Sequence, residues 1–318
     1  MTKNAASTTW PGVLFNLLSG IYLCLIVGLP SLSALALFRI AAGLRVLLVV
    51  LLPMEWSVCF VMVAGLLSLP HQFAVKPGKF RRDVSDLKYF HRRLYGLCWT
   101  AVYYNKPVYF LCLSMPSLKW LTFRIFGYRG SMNFTVYPDT WIRDLPLLTF
   151  ESGAYVSNRA TLGTNIVLSN GFLLVNTITL GSNSLVGHLA MLAPGVELEA
   201  GAEVAVGGGV GIGARLGRDS FVGPCSVIEH GVRLGTKAQV GAHSYVGSGS
   251  SLGDDVRLSA GSVIKPRTKI AKPDTKHLRH FKAETQWGTG RNAATGAWAS
   301  ASDAGASLEV DSRRLFKL

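Results

Sequence analysis

From Phe150 to Ile270 every sixth residue is apolar, without a slip: Phe150, Val156, Leu162, Leu168, Leu174, Leu180 and so on through Leu252, Leu258, Ile264 and Ile270. A beat of six over this length is neither the 3.6 of a helix nor the 2 of an ordinary strand, so it fixes an architecture before any chemistry is considered. If the apolar residue is position 1, position 2 is often Gly, and position 4 is usually a residue that tolerates a left-handed backbone, as at Gly195, Asn183, Asp219 and His243. Position 5 is small or Val in most units, as at Ala154, Ser184, Ala202 and Ser226. A short strand, a corner with positive φ and another short strand make a polygonal coil. Three hexads close a triangle, so residues eighteen apart should stack on successive rungs at about 4.8 Å. The spacing predicts a parallel β-helix of about seven coils over 146–271, with position 1 inside.

The rest of the chain is different in kind. Net charge is +14, yet residues 13–30 hold no charge, 34–53 only Arg39 and Arg45, and 54–69 only Glu55. These stretches predict two or three membrane helices within 1–75. Arg39 is expected to snorkel from near a helix end and Arg45 to pair with Glu55. The segment KPGKFRRDVSDLKYFHRR (76–93) is strongly basic and, beside membrane helices, points to the cytoplasmic face and to anionic lipid headgroups. Nucleic acid is the runner-up reading of that charge, but no fold motif for it accompanies the segment, so no nucleic-acid partner is expected. Residues 94–115 are apolar and aromatic, broken at Asn105-Lys106-Pro107 and flanked by basic residues on both sides. An interfacial or re-entrant hairpin within 76–145 is therefore expected, which leaves the β-helix in the cytoplasm. Residues 272–318 are expected to form a basic and then disordered tail. Five cysteines show no zinc or disulfide spacing and fit a reducing compartment.

Stacking at eighteen residues nominates neighbours. Asn170 and His188 should share an edge above Ser152, Asn165 and Asn183 should form a second ladder, and Cys225 should lie beside His243. His188 is the candidate general base, with Asn170 or Asn165 orienting a substrate or donating to an oxyanion. Asn183 and the cationic Lys265, Arg267 and Lys269 are candidates for binding substrate and an anionic donor. The small position 5 fails only at Ile166, Phe172 and Ile178, amid the clustered asparagines, so a cleft is expected there. The bland alternatives are a surface histidine, a structural asparagine stack and larger side chains plugging the prism end. No metal site is expected, since His188, His230 and His243 lack metal-ligand spacing.

The hexads LGSNSLVGHLAMLAPGVEL (180–198) and LSAGSVIKPRTKI (258–270) resemble those of the hexapeptide-repeat acyltransferases, whose β-helix is left-handed. The stretch 114–163, with DLKYFHRRLYG (86–96) upstream, resembles the C-terminal membrane and β-helix region of the ε-polylysine-synthetase-like nonribosomal peptide synthetases. There, hydrophobic helices lead into a short run carrying an Asp and then the repeats; Asp144 and Leu145 occupy that place here. The resemblance implies transfer of an acyl or aminoacyl group from a thioester donor, acyl-CoA or an acyl carrier, to a hydroxyl or amine. It also implies a homo-oligomer, trimer or dimer, and a carrier or synthetase protein as partner. Two departures stand out: Thr164-Asn165 replaces a Thr-His pair, and KIAKPDTKH (269–277) replaces the Gly-x-Pro-Ala exit. A non-catalytic, membrane-anchored scaffold is the competing reading.

Overall fold

The structure is a computed structural model and describes residues 10–40 and 45–271. Two long helices open the chain, α1 (Trp10–Ile40) and α2 (Arg45–Ser68), and a 3-10 turn (Leu69–Ala74) extends the second. The stretches 10–40 and 51–74 are long and apolar enough to cross a bilayer. The apolar run of 13–53 thus yields one helix up to Ile40 and a second from Arg45. Arg39 sits exposed in the last turn of α1, where a cation complements the helix dipole. Glu55 accepts a 2.6 Å hydrogen bond from Ser33; the side chain of Arg45, its expected partner, lies outside the described residues, as does the tail beyond 271.

A short strand β1 (Gly78–Arg81) follows, then α3 (Leu87–Tyr104), α4 (Lys106–Ser114) and α5 (Pro116–Ile125). Asp86 caps α3, accepting from the backbone N–H groups of Lys88 and Tyr89. The break between α3 and α4 falls at Asn105, with Pro107 in the first turn of α4, where a missing N–H costs nothing. The buried face of α3 lies on the β-helix. Trp99 Nε1 donates to the Ile142 carbonyl at 2.8 Å, and Tyr95 donates to the Phe126 carbonyl at 2.9 Å. Around Trp99 the rings of Tyr109, Phe123 and Phe126 pack edge to face, and the stack runs on through Tyr128 and Phe134 to Phe150. An aromatic plug therefore closes the base of the prism.

The prism begins earlier than the unbroken beat. Its first coil is β2 (Phe134–Val136), β3 (Trp141–Ile142) and β4 (Leu148–Phe150), and its second is β5 (Ala154–Val156), β6 (Thr161–Leu162) and β9 (Ile178–Leu180). Each of three faces carries seven parallel strands, which makes seven coils of a β-helix. We call the faces first, second and third after β2, β3 and β4. Position 1 fills the interior: Val156, Leu162, Leu180, Val186 and Val204 are fully buried. Residues with positive φ turn the corners, including Asn183, Cys225 and His243.

One excursion breaks the coil. Between β6 and β9 the chain leaves the prism as a hairpin, β7 (Asn165–Val167) and β8 (Phe172–Val175). These two strands pair antiparallel, and β1 adds to the outer side of β8, making a separate three-stranded sheet. Strand β10 (Leu185–Val186) therefore stacks on β5, with Leu185 opposite Tyr155, thirty residues back instead of eighteen. Above it the spacing returns to eighteen, with Leu185 opposite Glu203. The excursion inserts two hexads' length, so the beat stays in phase through residues that are not in the prism.

Candidate functional site

The hairpin redraws the map of neighbours. His188 stacks over Asn158, whose carbonyl accepts from the Leu189 N–H at 3.4 Å; Asn170 is in the hairpin turn and does not reach it. Asn183 stacks over Ser152 and Gly153, so the expected ladder with Asn165 does not form. His188 lies on the edge between first and second faces, and Asn183 on the edge between third and first. Asn170 is exposed, its Oδ1 accepting from the Phe172 N–H at 3.2 Å, a turn role. Lys265, Arg267 and Lys269 are exposed on the last coil, far along the axis from the hairpin. Cys225 and His243 do share an edge on adjacent rungs. Neither makes a side-chain hydrogen bond to the other. The five cysteines are free, and burial pushes the Cys98 thiol up to about 12, which makes it a core residue and not a nucleophile.

What the hairpin does build is a cleft. It leaves the prism at the edge between the second and third faces, and β7 stands as a wall beside the second face. The cleft, about 330 Å3, is lined by Asn165 and Ile166 of that wall, by Met191, Val227 and Ile228 of the face, and by Glu229 and His230. Its floor follows from the strand register, which stacks Met191, Gly209 and Val227 on successive rungs. Gly209 has no side chain between two large ones, and open space lies where its Cβ would stand. Asn165, nominated from sequence, lines the cleft; His188 does not.

His230 is held by the repeat itself. Its Nδ1 accepts the backbone N–H of Ile212, one rung below, at 3.0 Å. A Cβ at Gly211 would lie 2.7 Å from that nitrogen, so the glycine at position 2 makes room for the ring. Nε2 is then the end that carries the proton in the neutral ring, and it lies 4.0 Å from Glu229 Oε2. Asn165, Glu229 and His230 thus bring an amide, a carboxylate and an imidazole to the rim of an apolar cleft. Position 3 of a hexad gave no sign that His230 differs from His188. The missing signal is the hairpin, which follows from β1 pairing with β8 and not from the period.

The root of the hairpin is anchored beneath the cleft. Thr164 Oγ1 donates to Asp144 Oδ2 at 2.7 Å, and Asp144 also takes an ion pair from Arg92 of α3. Asp144 is fully buried and in the left-handed region, φ 54°, at the corner of the first coil between β3 and β4, the same edge that the hairpin leaves. Arg143 Nε lies 3.8 Å from Asp144 Oδ1. This knot ties helix, first coil and hairpin together, and it occupies the place where the resemblance put its Asp. Among the described residues no three His, Cys, Asp or Glu side chains cluster as metal ligands.

The family described as the hexapeptide repeat of succinyl-transferase matches residues 213–248 and 231–266. No curated protein matches the chain. Among solved structures, a mutant of perosamine N-acetyltransferase from Caulobacter crescentus in complex with CoA and GDP-perosamine is similar at 20% identity and TM-score 0.20, over 39% of this chain and 48% of that one. PerB from the same organism, in complex with the same two ligands, is similar at 22% identity and TM-score 0.19, over 39% of this chain and 51% of that one. The match thus spans about half the length of those proteins. The strand pairing above establishes the fold on its own: a hexapeptide-type parallel β-helix preceded by two apolar helices.

Proposed function

We propose that the chain is a membrane-anchored acyltransferase that moves an acyl or aminoacyl group from a thioester donor to an amine or hydroxyl. The observation that carries this is the cleft between hairpin and second face, where Asn165, Glu229 and His230 converge on an apolar floor. The acceptor nitrogen or oxygen attacks the thioester carbonyl, the C–S bond breaks, and the thiol leaves with a proton. His230 Nε2–H and the Asn165 amide donate to the developing oxyanion, and Glu229 accepts the acceptor's proton and passes it to the departing thiolate. His188, with no such cleft, is the second candidate for the base. Acyl-CoA or an acyl carrier supplies the thioester, and Lys265, Arg267, Lys269 and Asn183 are the groups that would meet it on a neighbouring copy. The resemblance of 114–163 to the ε-polylysine-synthetase-like region is what favours an aminoacyl or amine substrate.

A scaffold reading has its own observation. The outward ladder of the second face, Met191, Gly209, Val227, Tyr245 and Val263, is apolar, with Val263 at 73% exposure. The third face carries Glu197, Arg215, Arg233 and Lys269 instead. Such a face suits a dimer or trimer. Full-length protein in nanodiscs, given radiolabelled acyl-CoA and a metabolite extract, separates the two. Label transfer by the intact protein supports the enzyme, and its absence with every thioester tried supports the scaffold.

A further inference from the structure

A second cavity is larger than the cleft. About 830 Å3 of space lies between the end of the second apolar helix, β1, the start of α3 and Phe172 of the hairpin. Four cations line it, Lys76, Lys79, Arg81 and Lys88, against the single carboxylate of Asp86. That carboxylate already accepts two backbone N–H groups as the cap of α3. Lys79 is held over the Phe172 ring, 5.0 Å from its centroid, so the hairpin helps place the charge. At the rim, Phe73 and Leu87 are 52% and 66% exposed, two large apolar side chains largely open to the outside, with one side of the Phe73 ring against His91.

The position decides which anion is meant. The apolar stretch 51–74 ends at the pocket, so in a bilayer crossed by that helix the four cations lie at the level of the headgroups. A soluble anion has no use for the exposed rings and branched chains beside it; a lipid does, because its acyl chains cover them. We propose that this pocket binds the phosphate headgroup of an anionic phospholipid, with Phe73 and Leu87 against its chains. The bound lipid then clamps β1 and, through it, the hairpin sheet whose inner strand walls the cleft. This inference needs the helices to sit in a membrane but does not rest on acyl transfer.

The test uses full-length protein in detergent titrated with short-chain phosphatidylglycerol, phosphatidylcholine or coenzyme A. Binding is followed by tryptophan fluorescence. Phosphatidylglycerol should saturate a site at least tenfold more tightly than phosphatidylcholine, and the joint variant Lys76→Gln, Lys79→Gln, Arg81→Gln, Lys88→Gln should lose that preference. All four side chains are exposed, so the variant should keep the parent's unfolding midpoint; if it does not, the paired variants Lys76→Gln/Lys88→Gln and Lys79→Gln/Arg81→Gln are each expected to lose at least threefold. Equal binding of the two lipids, or a preference that survives the substitutions, overturns the proposal. Displacement of phosphatidylglycerol by coenzyme A also overturns it, because the pocket would then belong to a soluble phosphate donor.

Discussion

Arg92 and Asp144 form an ion pair with both side chains almost wholly out of water, at 3% and 0% exposure, directly beneath Thr164 at the root of the hairpin. It joins α3 to the first coil of the β-helix. Removing one partner of such a pair leaves an uncompensated buried charge, whereas replacing both by apolar groups is far milder. Asp144→Ala should therefore destabilise the protein by about 3–5 kcal/mol. The joint variant Arg92→Met/Asp144→Asn removes both charges while Asn keeps the left-handed corner and an acceptor for Thr164, and it should recover most of that loss. Denaturation of the detergent-solubilised protein checks both, and equal losses would show that the stranded Arg92 charge is not what the single substitution costs.

The hairpin is a removable part. Deleting residues 165–176 and placing Gly at Thr177, for the left-handed corner, restores the eighteen-residue rung between β6 and β11 (Met191–Leu192). The β-sheet circular dichroism of the prism should persist, while the cleft loses its wall and transfer falls at least a hundredfold. Loss of the prism itself would show that the hairpin is needed for folding.

Cys225 reports sidedness. It is exposed on a prism edge, while Cys98 and Cys112 are buried and Cys24 and Cys59 lie in the apolar helices. With the β-helix in the cytoplasm, a membrane-impermeant maleimide should label Cys225 in inside-out vesicles and not in right-side-out ones. Labelling confined to right-side-out vesicles would reverse the orientation.

The period of six is a property of inward residues, so it carried the prism, its three faces and its axis. It did not carry the hairpin, because twelve extra residues keep Leu168 and Leu174 in phase with a coil they do not join. The physical trace was elsewhere: Ile166 and Phe172 break the small-residue rule of position 5 because there is no tight inner corner for them to fill. That anomaly located the cleft, but the neighbours drawn from eighteen-residue stacking failed across it. The first coil escaped notice for the converse reason. Val136 and Ile142 keep the beat, and the wider corner at Asp144, with its 3-10 turn over Leu145–Leu147, then shifts it by two before Phe150. The segment 94–115 reads as interfacial or re-entrant because it is apolar and aromatic, broken at Asn105-Lys106-Pro107 and flanked by basic residues; the structure buries Tyr95, Trp99 and Tyr109 at the base of the prism and leaves Tyr104 and Phe110 exposed.

The central claim is that the cleft at His230 is where the acyl group moves. Its most direct test is kcat/KM for label transfer from acyl-CoA in nanodiscs, compared among the parent, His230→Ala and His188→Ala. His230→Ala should lower kcat/KM by about 10²–10³, the loss typical of an oxyanion donor, with KM little changed, and His188→Ala should stay within threefold of the parent. Full activity in His230→Ala, or the large loss in His188→Ala instead, would contradict it.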